Sequence, residues 1–183
     1  GDGLFETLRA SKGKIFRLEH HLDRLLRSLP QIFIDLPMTR FELMTIIQDT
    51  LERNNHKEAV IRLTVTRGDT QSNIQIDSNI PPNLIVNIRA FIPLSTTAYK
   101  KGIKIMLFQE RASSTNGLKR RLKSCNYLSN ILIKKLSDRK GFMEGVVVDP
   151  DFGVTEGSTS NVFIVTQGII KTPPLSPFVL DGI

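Results

Sequence analysis

The sequence contains few cysteines, which cross-link small secreted domains, and few of the aromatic residues that stack on nucleic-acid bases. Its 183 residues include one cysteine, Cys125, which excludes an internal disulfide framework and a cysteine-rich zinc module. Tryptophan is absent and tyrosine occurs 2 times, so few rings are available for base stacking. A chain of this length can bury a substantial core without disulfide bonds or structural metal ions, and packing of its apolar residues must supply the stability.

Long hydrophobic runs are missing as well. No stretch approaches the roughly 18 apolar residues that a membrane-spanning helix needs, and Gly1-Asp2-Gly3-Leu4 does not resemble a secretion signal. We therefore expect a cytoplasmic protein that does not contact a membrane. The net charge of +7 is compatible with an anionic partner, but lysines and arginines that merely solvate a surface produce the same excess.

Three segments, 18–29, 39–52 and 124–136, repeat apolar residues with the period of amphipathic helices. Pro30 is expected to end the first of them. The third helix is predicted to turn one apolar stripe towards a core, consisting of Tyr127, Leu128, Ile131, Leu132 and Leu136.

Alternating apolar and polar residues predict a strand from Ala59 to Gly68, with Arg62 on the face opposite Ile61 and Leu63. Further strands are predicted at 84–92, 103–108, 145–149 and 161–165. The predicted helices and strands do not alternate in a repeating β-α-β order. Such a mixture is typical of an α+β fold. Linker-like composition near residue 95 predicts a small N-terminal α+β domain at 1–95 and a second domain at 96–183.

Reactive side chains are densest around Lys123. The cations at 119–121 are most simply interpreted as a solvated basic edge. Lys123 differs from them because it lies at the predicted entrance of a helix, beside Leu122 and shortly before Tyr127. Partial burial there can lower an amine pKa enough to produce a nucleophile or a Schiff-base former.

Two further residues are candidates for binding. Glu156 precedes a loop of small residues, 157–160, where backbone N–H groups can approach an anion, although Glu-Gly-Ser turns are common on surfaces. Arg24 projects from the first predicted helix, and its ordinary interpretation is a solvated arginine paired within that helix.

Other chemistry has no support in the spacing. Cys125 has no suitably placed histidine, and His20 and His21 point about 100° apart on a helix, so they cannot easily share a metal ion. We expect no metal site. Walker, dinucleotide-binding and G-x-S-x-G motifs are not present in the sequence.

Seven tracts, taken in order, resemble the fold-type IV (class IV) pyridoxal-phosphate-dependent enzymes, which include branched-chain aminotransferases, D-amino-acid aminotransferases and aminodeoxychorismate lyases. They span nearly the whole sequence, which makes the set far more specific than any single tract. The tracts are Gly1–Arg9, Glu19–Leu25, Ile61–Gly68, Lys123–Leu128, Val154–Phe163, Thr172–Leu175 and Leu180–Ile183.

The resemblance implies a role for each candidate residue in holding pyridoxal 5'-phosphate. Lys123 would bind the cofactor covalently and act as the catalytic base, and Glu156 would hold the pyridinium nitrogen. Arg24 would bind the phosphate together with the backbone of Gly182 and Ile183. The remaining assignment is Tyr127, which would hydrogen-bond the ring oxygen.

The resemblance also implies an architecture and partners. We expect two α/β domains of the class IV aminotransferase type, with the start of the first domain and the C-terminal part of the second lying outside this sequence. Small-molecule amino acids and 2-oxo acids would be the substrates, and the assembly would be a homodimer.

The branch of the family is less sharply indicated. Arg62 occupies the position of an arginine that helps to bind the substrate carboxylate in branched-chain aminotransferases, and residues 68–74 lack the Arg-x-His pair of the D-amino-acid enzymes. Phe5-Glu6-Thr7-Leu8-Arg9 and Ser158–Asn161 look more like the lyase and D-amino-acid groups. We favour an aminotransferase acting on branched-chain-like L-amino acids, with aminodeoxychorismate lyase as the alternative.

A basic nucleic-acid-binding module is a distant alternative. Such a module would need aromatic residues interleaved with the cations. The aromatic residues near the basic run 119–123 are Phe108, which precedes it, and Tyr127, which follows it. We therefore expect no nucleic-acid partner.

Overall fold

The computed structural model of the chain describes residues 1–69, 80–110, 122–176 and 179–183. These residues form two compact units. The first consists of Gly1–Ile92, Lys123–Cys125 and Ile183, and the second of Pro93–Leu122 and Asn126–Gly182. The short segment Lys123–Cys125 thus lies with the first unit although the chain around it lies with the second. The division into domains at residue 95 stays a prediction.

The first unit is built on a four-stranded antiparallel sheet. Its strands are β1 (Gly3–Ser11), β2 (Lys14–Ile15), β3 (Ala59–Thr66) and β4 (Asn83–Ala90), in the order β2-β1-β3-β4. Because side chains alternate along a strand, Leu4, Glu6 and Leu8 of β1 lie on the same buried face as their partners Val65, Leu63 and Ile61 of β3.

Two helices lie beside this sheet in the described part of the unit. Helix α1 (Leu18–Ser28) packs against β1 and continues as a 3-10 turn (Leu29–Ile32), and helix α2 (Arg40–Asn54) packs against α1 and β4. Pro30 occupies the start of the 3-10 turn, where its missing N–H is not needed, so it redirects the helix rather than stopping it outright. The Thr39 hydroxyl and the Glu42 carboxylate cap the N-terminus of α2 reciprocally.

The described residues of the second unit form a three-stranded sheet, a hairpin and two helices. The sheet order is β5-β6-β7, with β5 parallel to β6 and β7 antiparallel to it, and β8 pairs with β9. The elements are α3 (Thr96–Lys101), β5 (Ile105–Gln109), α4 (Leu128–Arg139), β6 (Glu144–Asp149), β7 (Gly153–Gly157), β8 (Ile164–Thr166) and β9 (Ile169–Lys171).

Helix α4 packs on the sheet through an edge that its periodicity does not indicate. Ile133 and Ser137 are its buried residues, and they approach β6 at Gly145, where any Cβ would collide with both side chains. The predicted inward stripe is wrong in this chain, because Leu128, Ile131, Leu132 and Leu136 are each 45% or more exposed. The glycine sets the contact, since it lets the helix approach the strand at this point.

We expect Gly145→Ala to destabilise the second unit. Adding a methyl group to a well-packed contact costs about 1–3 kcal/mol, and denaturant unfolding followed by circular dichroism measures that loss. The same substitution in an Ile133→Ala background should cost less, because the Ile133 methyl group that meets the new Cβ is gone. Equal costs in the two backgrounds would contradict this account of the helix contact.

Candidate functional site

Lys123 is held by backbone hydrogen bonds to the edge of β1 that faces away from β3. The N–H of Phe5 donates to the Lys123 carbonyl over 2.9 Å, and the N–H of Cys125 donates to the Gly3 carbonyl over 2.8 Å. Leu4 and Ser124 form an antiparallel bridge between these two bonds. The position of the lysine is therefore set by a short piece of sheet rather than by a loop.

The ring of Phe5 is contacted by the cations of both Lys123 and Arg62. The Lys123 ammonium lies 5.0 Å from the ring centroid, and the Arg62 guanidinium carbon lies 3.8 Å from it. Cations are attracted to the face of an aromatic ring at such distances. Phe5 itself is 3% exposed, and two of the predicted site residues therefore place their charged groups against a buried ring.

Arg24 is buried, and its partner does not belong to its own helix. Its Nε donates to Oε1 of Glu6 over 2.7 Å and its Nη2 donates to Oε2 over 2.6 Å. His21 Nδ1 donates to the same Oε2 over 2.8 Å. The interpretation as a solvated arginine paired within α1 is wrong: the side chains of Arg24 and Glu6 are 9% and 1% exposed, and Glu6 comes from β1.

The carboxyl of Glu6 is tuned by opposing effects. Burial raises its pKa, but the hydrogen bonds from Arg24 and His21 and their charges lower it by more. The pKa of Glu6 therefore lies below its ordinary value of 4.5, and the group is ionised at neutral pH.

Glu6 and His21 are not among the sequence-based candidates. A signal for Glu6 exists in the strand pattern, because Leu4, Glu6 and Leu8 share one face of the strand and place a carboxylate in line with two leucines. Such a residue needs a buried partner. Its partner cannot be named from the sequence, because His21 and Arg24 are 15 and 18 positions away in the chain.

Glu156 belongs to a different cluster, in the second unit. It lies on β7, and its Oε2 accepts a hydrogen bond from the Leu180 N–H over 2.9 Å. The Asn161 amide donates to the Leu180 carbonyl over 3.1 Å. A Cβ on Gly182 would overlap the Asn161 side-chain oxygen, so the chain approaches Asn161 at a position where glycine leaves the necessary space. Asn161 is the residue here that the sequence-based candidates omit.

A second glutamate fixes the turn that follows Glu156. Glu144, on β6, accepts hydrogen bonds from the backbone and hydroxyl of Ser158 and from the hydroxyl of Ser160. The Asn130 amide donates to the Ser158 carbonyl over 2.7 Å. The small residues after Glu156 are thus anchored by side chains from β6 and α4.

The remaining predicted residues are divided between the units. Tyr127 lies in the second unit, at the residue before α4, where its carbonyl accepts from the Ile131 N–H over 2.9 Å. Gly182 also belongs to the second unit, and Ile183 belongs to the first. The first unit therefore holds Arg24, Arg62, Lys123 and Ile183, and the second holds Tyr127, Glu156 and Gly182.

Some sequence features lie outside the described residues, namely the cations at 119–121 and positions 70–74 after β3. Among the helices that the structure describes, none is long and apolar enough to cross a bilayer. The same part of the chain contains no group of three or more His, Cys, Asp or Glu side chains that could hold a metal ion.

Sequence comparison gives relatives of three kinds. The amino-transferase class IV family model matches residues 3–183. The whole chain is 35% identical to a Methanocaldococcus jannaschii protein provisionally named a branched-chain-amino-acid aminotransferase, and covers 62% of it. It is 31% identical to the D-alanine aminotransferase of Staphylococcus epidermidis, covering 63%, and 30% identical to the aminodeoxychorismate lyase of Bacillus subtilis, covering 62%. The chain thus spans just over three-fifths of the length of these relatives.

Solved structures give the same family. The branched-chain amino acid aminotransferase of Escherichia coli superposes over the whole chain with a TM-score of 0.90 at 26% identity, and the chain covers 62% of it. The branched-chain aminotransferase of the thermophilic archaeon Thermoproteus uzoniensis, solved with norvaline, superposes with a TM-score of 0.85 at 28% identity, with 62% covered. Another branched-chain amino acid aminotransferase, solved with pyridoxamine 5'-phosphate, superposes with a TM-score of 0.87 at 26% identity, with 61% covered. The fold is therefore α+β, of the type found in these enzymes.

The buried pair of Glu6 and Arg24 makes stability depend on pH. Because the pKa of Glu6 is lowered in the folded state, its ionised form contributes stability above about pH 4.5, and that contribution is lost as the pH falls through the lower, folded-state value. Removing one partner of a buried pair costs about 3–5 kcal/mol. We expect Glu6→Gln to lower the free energy of unfolding by that order at pH 7 and by clearly less near pH 3.

The matched control is Glu58→Gln. Glu58 pairs with Arg9 of the same strand, but at an exposed position, so its loss should change stability far less at either pH. Denaturant unfolding of both variants at the two pH values measures the difference. A loss for Glu6→Gln that does not change with pH would contradict the ionised pair.

Proposed function

The chain belongs to the class IV aminotransferases, and we propose that the whole protein is a pyridoxal-phosphate-dependent aminotransferase moving an amino group between a branched-chain-like L-amino acid and a 2-oxo acid. The observation that carries the proposal is the placement of Lys123. Its backbone is fixed to β1, and its ammonium shares the Phe5 ring with Arg62. An amine and a substrate-binding guanidinium on one face are what the first steps of amino transfer require.

The donor set fits the cofactor. A lysine amine suits the aldehyde, a buried guanidinium suits the phosphate, and a carboxylate held by a backbone N–H suits a protonated ring nitrogen. In the proposal, Lys123, Arg24 and Glu156 take these three roles. The backbone of Gly182 and Ile183 adds donors for the phosphate, and Tyr127 donates to the ring oxygen.

Each residue then has a defined task. When bound, the cofactor supplies an electron sink for the charge that develops at the substrate α-carbon. Glu156 keeps the ring nitrogen protonated. Lys123 moves a proton between the substrate α-carbon and the C4′ position, first as base and then as acid. Arg62 binds the substrate carboxylate and so holds the α-carbon within reach of the lysine.

The alternative is aminodeoxychorismate lyase activity. A lyase is among the relatives, at 30% identity, and the Glu156 tract supports it. One feature favours the aminotransferase over the lyase: Arg62 is exposed on the outer face of the sheet, at the same Phe5 ring as the Lys123 amine, where it can act as a carboxylate clamp. The absence of the Arg-x-His pair from residues 68–74 argues against the D-amino-acid branch. A cytoplasmic location and a homodimer remain predictions, and no nucleic-acid or membrane partner is proposed.

We expect borohydride reduction of the cofactor-loaded protein to leave a pyridoxyl group on Lys123, because the proposal makes its amine the partner of the cofactor aldehyde. Peptide mapping by mass spectrometry locates the label. Lys123→Arg should remain unlabelled while Lys104→Arg is labelled normally. A label on Lys119 instead would contradict the assignment.

We expect Arg62→Ala to weaken the binding of amino-acid and 2-oxo-acid substrates by about 1–3 kcal/mol, the cost of losing a charge-assisted hydrogen bond. Arg89 is a matched control, because it lies two rows away on the same face of the sheet and is also exposed. Arg89→Ala should bind substrate as the wild type does. Steady-state kinetics on the full-length protein measures both variants.

The same assays decide between the two activities. The aminotransferase passes an amino group from an L-amino acid to 2-oxoglutarate. Release of pyruvate and 4-aminobenzoate from aminodeoxychorismate, with no amino transfer to any 2-oxo acid, would replace the proposed function with the lyase.

A further inference from the structure

We propose that Glu6 is a positioning residue for anion binding, which acts by fixing the guanidinium of Arg24 rather than by contacting the ligand. The inference rests on the proposed function for the identity of the anion, a phosphate monoester. It assigns a role to a carboxylate that none of the site roles above includes.

The geometry of the contact supports positioning. Both carboxylate oxygens of Glu6 are used, and they accept from two different nitrogens of Arg24, at 2.7 and 2.6 Å. Two parallel hydrogen bonds fix the plane of a guanidinium as well as its location, which a single contact cannot do. An arginine has considerable rotamer freedom, and this fork removes it before any ligand arrives.

Glu6 is itself fixed on two sides. Its backbone lies in β1 opposite Leu63 of β3, and His21 Nδ1 donates to the same oxygen that receives Arg24 Nη2. His21 and Arg24 are one turn apart on α1. The carboxylate therefore transmits the rigid geometry of the sheet to an arginine that projects from a helix.

Charge and geometry predict opposite results at this position. A buried carboxylate beside Arg24 reduces the positive potential that an anion meets, so charge alone predicts that removing it tightens phosphate binding. Positioning predicts looser binding, because the guanidinium loses its orientation. The sign of the effect therefore separates the two roles.

The experiment compares pyridoxal 5'-phosphate with pyridoxal, which lacks the phosphate. Binding of each to the cofactor-free full-length protein is titrated by absorbance, and the ratio of the two affinities reports on the phosphate subsite. A general loss of fold lowers both affinities and leaves the ratio in place. We expect Glu6→Gln to lower the ratio roughly tenfold, the effect of about one charge-assisted hydrogen bond, and Glu58→Gln to leave it unchanged.

A second variant covers poor folding of Glu6→Gln. Glu6→Asp keeps the negative charge but withdraws it by one methylene group, so positioning predicts a reduced ratio and a role through charge predicts the wild-type ratio. In an Arg24→Lys background, which has no fork to orient, Glu6→Asp should change the ratio little.

Several results would overturn the inference: a wild-type or raised ratio in both Glu6 variants, or failure of both variants to fold, which would make Glu6 a residue of the core alone. If the wild-type protein binds pyridoxal 5'-phosphate and both Glu6 variants keep the wild-type ratio of the two affinities, only the role of Glu6 is contradicted. Wild-type protein that does not bind the cofactor contradicts the proposed function too.

Discussion

The alternation of side chains along β1 is the constraint on which the first unit depends. Even-numbered residues of this strand point into the core, where Glu6 meets Arg24, and odd-numbered residues point outwards, where Phe5 meets Lys123 and Arg62. A shift of one residue in the pairing of β1 with β3 would exchange the two faces. It would move a phenylalanine to the core face in place of the carboxylate and separate the lysine from its ring.

This arrangement explains why so polar a cluster is tolerated in the core. Burying a carboxylate without partners is costly, and here His21 and Arg24 of α1, which packs directly on β1, donate hydrogen bonds to the Glu6 carboxylate. The cluster therefore favours one rotation of the helix about its axis, the one that presents His21 and Arg24 together to the strand. A purely apolar interface between α1 and β1 would specify this rotation less strongly.

Local patterns and non-local contacts differ in how well the sequence predicts them. The sequence predicts helix α1 and strand β3 within a few residues, because their apolar periodicity is strong and local, and the outward face of Arg62 follows from it. The pairing of Lys123–Cys125 with β1 is not predictable, since it depends on residues more than a hundred positions apart. For α4, the stripe of leucines and isoleucines indicates a face that is exposed in this chain, because the glycine at 145 determines the contact.

The candidate site follows the same division. The tract around Lys123 and the Glu156 tract can be picked out from residue types, because an amine, a carboxylate and a run of small residues are visible in the sequence. The residues that position the site side chains and turns cannot, since Glu6, Glu144 and Asn161 act through partners distant in the chain. In each case a side chain with strong hydrogen-bonding groups fixes a neighbour: Arg24, the turn after Glu156, and the backbone at Leu180. Precision in such a site comes from supporting hydrogen bonds, so the supporting residues are where the sequence alone is least informative and the structure adds most.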